Sequence, residues 1–308
     1  MSLSVALTGA SGFIGGVLAT HLRKKGHRVR ALIRSPADQR SLETIGVESF
    51  LGTLEEPESI GSLIQECDVV IHCAGAIRGR HRQDFHKVNV EAVSLLSQTC
   101  RSLKPLPKFI LISSLAAREP SLSPYAWSKR EGELTLIREA GELPWVIFRP
   151  PAVYGPQDQS LRPLFQLMRW GIGIRLSPQT SRFSLIHVED VAGAVMCWIN
   201  KGKPEHHLLE IDDGFPGGYT WEEVFKSGPQ TVRLRIPIPQ RALRMAAVLN
   251  EKTSAILGYR PLLTEGKVAE LLHPDWVCDT RETFHLMEWR PEIPLKTGLR
   301  QLQTSDSL

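Results

Sequence analysis

No stretch of this chain is long and apolar enough to cross a bilayer, because glycines and charges interrupt every hydrophobic run well short of the roughly 20 residues a helical span needs. Cysteine is sparse and scattered. Cys67, Cys73, Cys100, Cys197 and Cys278 are odd in number and free of Cys-X-X-Cys spacing. They read as reduced thiols of a cytoplasmic protein and exclude a disulfide frame or a thiolate zinc site. His206-His207 is no metal pair either, since neighbours on a strand point to opposite faces. No Lys/Arg run is interleaved with aromatics, and a net charge of +4 over 308 residues is mild, so nucleic acid is not an expected partner. The start lacks a basic region and glycines break its apolar stretch, so no secretory signal is expected. Internal repeats and low-complexity linkers are missing too. What is present, 42% hydrophobic and 23% charged residues, suits an ordinary globular protein with a large core and room for two subdomains.

The organising stretch is Val5-Ala6-Leu7-Thr8-Gly9-Ala10-Ser11-Gly12-Phe13-Ile14-Gly15. The apolar run from Leu3 to Leu7 reads as a buried strand, and a helical pattern opens near Gly12. Three glycines so spaced permit a tight turn, close approach to a pyrophosphate and close packing of helix on strand. The amides that open the helix then face an anion. A strand-to-helix turn with no ligand is the plainer alternative.

Further strands are expected at Val29–Ile33, Val47–Leu51, Val69–Cys73, Phe109–Ile112 and Trp145–Phe148. Helices are expected after the glycine turn and at Pro57–Gln65, Asn89–Leu103 and Tyr125–Ala140. Buried strands alternating with helices imply a parallel sheet covered on both faces, with ligands beyond the carboxyl ends of its strands. After Pro150 prolines and glycines become frequent and the alternation weakens. Leu161–Trp170 and Glu189–Ile199 read as helices and Leu208–Ile211 as a seventh strand. Arg241–Leu257 reads as an amphipathic helix with Leu243, Ala247 and Leu249 inward.

Tyr125 and Lys129 stand four residues apart, on one face of their helix. An adjacent ammonium favours the phenolate, so the tyrosine pKa should fall and the phenol should serve as acid or base. Taken alone the two form a common surface pair. Ser113-Ser114, at the end of the fifth strand, brings a hydroxyl to the same crevice; its other reading is a helix N-cap.

Together these residues resemble the extended branch of the short-chain dehydrogenase/reductase superfamily, the NAD-dependent epimerase/dehydratase-like proteins. The resemblance runs through Thr8 to Gly15, His72-Cys73-Ala74-Gly75, Asn89-Val90, Ser113-Ser114, Tyr125 to Lys129, Arg149 to Pro156, Ile186 to Ala192 and Leu286 to Pro291. It implies an α/β fold, a doubly wound parallel (Rossmann) sheet with a second, smaller mixed C-terminal substrate domain. Residues 1–155 would bind dinucleotide, with segments at about 184–212 returning to them; 156–183 and 213–308 would bind substrate. By resemblance, Ser114, Tyr125 and Lys129 are the catalytic triad and Asn89 supports the site or caps its helix. Gly9, Ser11, Gly12, Phe13, Ile14 and Gly15 would line the pyrophosphate. Ala74 and Gly75 would pass the adenine ribose, Lys129 would bind the nicotinamide ribose, and Pro150 to Val153 would face the nicotinamide. A homodimer through the Asn89 and Tyr125 helices is implied as well.

Several positions depart from the family pattern. NAD-specific members end the second strand with an acid; here Ile33-Arg34-Ser35 stands. Arginine accepts a 2′-phosphate, so NADP is the expected cofactor with NAD the alternative, unless Arg34 only solvates its turn. Thr53 and Leu54 replace the Asp-Leu that reads adenine in relatives. No acid follows Ser114 in Leu115-Ala116-Ala117, which argues against dehydration, and Ala152 replaces the asparagine of nucleotide-sugar epimerases. Arg78, Arg80 and Arg82 form a basic loop near the site mouth that reads first as a solvated loop and second as a site for an anionic substrate, for which Arg162 and Arg182 are further candidates. The leading expectation is an NAD(P)-dependent reductase or dehydrogenase acting on a carbonyl or secondary alcohol of a small or lipid-like molecule. A nucleotide-sugar epimerase and a non-catalytic dinucleotide sensor or assembly protein are the alternatives.

Overall fold

The computed structural model describes residues 2–305. Seven parallel strands form the main sheet: β1 (Ser4–Thr8), β2 (Arg28–Ile33), β3 (Glu48–Leu51), β4 (Val69–His72), β5 (Lys108–Ile112), β6 (Trp145–Arg149) and β7 (His207–Glu210). Their order is β7-β6-β5-β4-β1-β2-β3, so the chain reverses direction across the sheet between β1 and β4. In open sheets of this kind a crevice opens at that reversal, above the carboxyl ends of the strands.

The pleat sorts the strand residues. Val5, Leu7, Ile71, Ile110 and Ile112 join the core under one face. Ala6, Val70, Phe109 and Leu111 join the core under the other. Helix α1 (Phe13–Lys24) covers the first face through Leu18 and Leu22. Helices α2 (Pro57–Ile64), α3 (Ala92–Arg101) and α4 (Pro124–Glu139) cover the second through Ile60, Leu96 and Leu136. Both faces are dry, which is why β4 and β6 are buried along their whole length. Helix α5 (Val188–Lys201) returns to the first face through Val191, Val195 and Trp198.

The rest of the chain builds short two-stranded pairs and a separate core around Tyr154, Phe165, Phe225 and Leu299. Helices α6 (Gln240–Leu257) and α7 (Glu265–Leu272) share a small cluster of Leu243, Ala247 and Val268. Leu249 is not in it: it is 66% exposed. The inward row instead runs through Leu243, Ala247 and Ser254, because α7 covers only one side of α6 and Leu249 lies on the other.

Helix α4 is held to the sheet by charge. Glu133, fully buried, accepts from Arg149 Nε at 2.8 Å, from Arg149 Nη2 at 2.6 Å and from the Ser113 hydroxyl at 2.6 Å. A second lock sits between β1 and β4. The buried Thr8 hydroxyl donates to His72 Nδ1 at 2.8 Å and accepts from the Ala74 amide at 3.2 Å, while His72 Nε2 donates to the Val88 carbonyl at 3.3 Å. Burial, with Lys129 nearby, pulls the His72 pKa from 6.5 to about 3.

Removing half of a buried ion pair strands its partner, so Glu133→Ala should cost about 3–5 kcal/mol of unfolding free energy in urea titrations. The unfolded chain protonates His72 below its ordinary value of 6.5, and the folded chain does so only near 3. Stability is therefore full above 6.5 and lost as pH falls toward 3. Across that window the wild type should lose about 1.4 kcal/mol per pH unit more than His72→Asn, as read by chemical denaturation at a series of pH values.

Candidate active site

The β1–α1 turn is built for close approach. Gly9 adopts φ +77°, and a Cβ there would lie 2.6 Å from the Ala74 nitrogen. One at Gly15 would overlap the Gly9 carbonyl oxygen. Helix α1 starts after Gly12 with no side-chain cap, and Ser11 and Gly12 are exposed. The first turn of α1 therefore carries no side-chain cap, an arrangement that fits a pyrophosphate. Ile14 packs against the core beneath, and Phe13 approaches Gly155. Arg34 is exposed just past β2, and Thr53 and Leu54 follow β3. Ala74 and Gly75 follow β4. Buried Pro150 ends β6 and accepts from the Leu115 amide at 2.8 Å; Val153 lies on the strand Ala152–Tyr154.

Asn89 does not cap a helix. It lies in a π-helical turn, Lys87–Glu91, that leads into α3. Its amide donates to the Ala76 carbonyl at 3.1 Å and to the Ser128 hydroxyl at 2.8 Å, and its oxygen accepts from the Ala76 amide at 2.8 Å. It thus staples the segment after β4 to α4. The staple requires the helices to touch: a Cβ at Gly132 would overlap the Asn89 carbonyl oxygen. Lys129, buried, donates to the Ile112 carbonyl at 3.1 Å, and its Nζ lies 3.2 Å from where a Gly75 Cβ would sit. Burial lowers its pKa, against the pull of Cys73 and Glu133.

Ser114 combines the two readings of its sequence position. It caps the short 3-10 turn Leu115–Arg118, accepting from the Ala116 amide at 3.2 Å, and its hydroxyl stands close enough to the Tyr125 phenol to pull the phenol's pKa down. The expectation that Lys129 draws the Tyr125 pKa down is overturned. Burial raises it, and the nearby Ser114 hydroxyl and the Lys267 charge offset this only in part. Lys129 is committed to the Ile112 carbonyl. The cation over the phenol ring is Lys267 of α7, 6.0 Å from its centroid. Lys267 is itself paired at 2.8 Å with Glu270, whose charge opposes its pull on the phenol, and desolvation dominates.

Lys267 and Glu270 were not readable as site residues. Their three-residue spacing signals an ion pair on a helix, but nothing local says that the pair sits beside Tyr125. Glu270 also accepts from the Ser123 hydroxyl, the N-cap of α4. Phe85 closes another side of the phenol, edge-on at 6.1 Å.

The arginine candidates fare differently. Arg80 donates to the Glu251 carbonyl at 3.4 Å, and Arg82 lies 4.5 Å over the Trp127 ring. Arg182 holds the Gly217 and Gly218 carbonyls at 2.6 and 2.8 Å. These three are engaged in holding loops, while Arg78 is exposed and Arg162 lines a small cleft with Phe165 and Leu299. His206, at φ +59°, lies outside β7, packed on Trp145. Among the described residues no cluster of three or more metal-ligating side chains occurs.

Comparisons with known proteins agree with this geometry. The chain is 36% identical to a ceramide reductase of Caulobacter vibrioides over 275 residues, 88% of this chain and 85% of the relative. It is 26% identical to a decarboxylating sterol-4-alpha-carboxylate 3-dehydrogenase of Dictyostelium discoideum, over 77% of this chain and 80% of that one. The Bordetella bronchiseptica enzyme WbmG, solved in complex with NAD, superposes with a TM-score of 0.76 at 14% identity, covering all of this chain and 94% of that one, which shows a shared fold. The model of the NAD dependent epimerase/dehydratase family matches residues 5–209, and with the glycine turn opening onto the crevice the chain belongs to that family, the extended short-chain dehydrogenase/reductases.

Proposed function

We propose that this enzyme is an NADP-preferring reductase or dehydrogenase that interconverts a carbonyl and a secondary alcohol on a lipid-like molecule. The observation that carries the reading is the convergence of Ser114, Tyr125 and Lys129 at the carboxyl end of β5, with Lys129 seated on the Ile112 carbonyl beside Gly75. When bound, the dinucleotide supplies the hydride for reduction and takes it up in oxidation. Ser114 donates a hydrogen bond to the substrate oxygen, and Tyr125 delivers the proton that turns it into a hydroxyl. Lys129, held from below by Ile112 and open toward Gly75, binds the nicotinamide ribose. Asn89 positions Lys129 through Ser128 on the same helix. Residues 1–155, with the segments at about 184–212, hold the dinucleotide in this reading, and 156–183 with 213–308 hold the substrate.

Two relatives support the substrate class, one named for a ceramide and the other for a sterol carboxylate. The absence of an acid after Ser114 and of an asparagine at Ala152 favours this reading over dehydration and sugar-nucleotide epimerisation. The elevated Tyr125 pKa suits reduction, because the phenol stays protonated through neutral pH and is the form that donates.

Tyr125→Phe should lower kcat for carbonyl reduction by at least about 100-fold with dinucleotide affinity retained; unchanged turnover would sink the mechanism. In the wild type the reductive rate should stay level across neutral pH while the oxidative rate climbs with pH, since oxidation needs the phenolate. Arg34→Glu should weaken NADPH binding by about 10- to 100-fold, the worth of a charge-assisted hydrogen bond, and leave NADH nearly unaffected. Fluorescence titrations with both nucleotides read this, and a wild type that prefers NADH would refute the NADP assignment.

A further inference from the structure

Helix α6 has two apolar faces. Leu243, Ala247 and Ser254 are buried, the first two against Val268 of α7. On the other side Met245, Leu249 and Ile256 are 72%, 66% and 84% exposed. Their spacing of four and then seven residues aligns them in a row about half a turn around the helix from the buried one. Monomeric proteins rarely leave a row of large apolar side chains in water. Exposed Arg241, Arg244 and Lys252 occupy one flank of it. The helix has a single acid, Glu251, which accepts from the Glu265 amide at 2.7 Å. From Arg233 to Arg260 the chain has six cationic side chains and that one carboxylate.

We infer that this face of α6 docks on a membrane surface bearing anionic headgroups, with Met245, Leu249 and Ile256 in the acyl boundary and the cationic flank on the phosphates. Charge decides between this occupant and a second copy of the chain. A two-fold contact would bring the same cationic flank against itself with almost no acid to pair it, whereas an anionic surface complements it. The inward side of the same helix is tied to the site. Asn250 donates to the Leu263 carbonyl at 2.8 Å, ahead of α7, and α7 places Lys267 over Tyr125. Arg80, from the loop beyond Gly75, reaches the Glu251 carbonyl. A docked α6 therefore holds the rim of the crevice one helix diameter, roughly 10 Å, from the bilayer, which shortens the path of a poorly soluble substrate through water.

The inference goes beyond the assigned reaction and is read without turnover, so its failure is separable from failure of that assignment. The purified full chain is sedimented with vesicles of phosphatidylglycerol and phosphatidylcholine in equal amounts, and with phosphatidylcholine vesicles alone. It should partition onto the anionic vesicles, less so as salt is raised. The double variant Leu249→Asp, Ile256→Asp should lower the partition coefficient at least about tenfold. Arg241→Ala should lower it about fivefold. Both variants alter exposed side chains, and an unchanged melting curve and NADPH affinity confirm that they fold. Absence of partition by the wild type, equal partition onto phosphatidylcholine alone, or undiminished binding of the double variant would overturn the inference. So would a sedimentation-velocity mass for the wild type twice that of the double variant, which would make the face an interface between copies.

Discussion

The buried pair of Glu133 and Arg149 sets the geometry on which the rest depends. Two charges leave water only if their hydrogen-bonding capacity is met inside, and here both carboxylate oxygens are engaged, by Arg149 and by Ser113. Arg149 ends β6, Ser113 follows β5, and Arg149 also approaches Glu210 on β7 at 3.8 Å. One carboxylate on α4 therefore fixes that helix against the ends of two strands and, through Arg149, a third. Tyr125, Lys129 and Glu133 recur every four residues, so they share a face. Fixing the rotation of α4 at Glu133 aims Lys129 at Gly75 and Tyr125 at Ser114.

Above that base the environment of the phenol comes from a distant part of the chain. Glu270 joins the Ser123 cap of α4 to Lys267, which spans the ring of Tyr125. The phenol is thereby flanked on several sides, and desolvation raises its pKa more than the neighbouring cation lowers it. A phenol so placed keeps its proton through neutral pH.

Much of this was legible in the sequence. The strands stood out because a sheet covered on both sides demands unbroken apolar runs, as in Val69–Val70–Ile71. The glycine turn stood out because its spacing has a steric reason. Four-residue spacing also placed Tyr125 and Lys129 on one face, but it could not say which groups each would meet: Lys129 goes to a backbone carbonyl, and the effective cation comes from α7. Leu249 failed for a related reason. A helix with apolar residues on two sides has a readable period and an unreadable orientation, since the side that is covered depends on where α7 lands. The π-helical turn at Asn89 left no compositional trace, because it answers a packing demand made by Gly132.

Gly132 touches the main chain of the Asn89 turn with nothing but hydrogen at its α-carbon. A seam between two backbones has no rotamers through which to drift, so the distance from α4 to that turn is set as firmly as two peptide planes in contact allow. The backbone of Lys129 inherits that sharpness, since it sits one turn before Gly132, and its ammonium, at the end of a flexible stem, is pinned in turn by the Ile112 carbonyl.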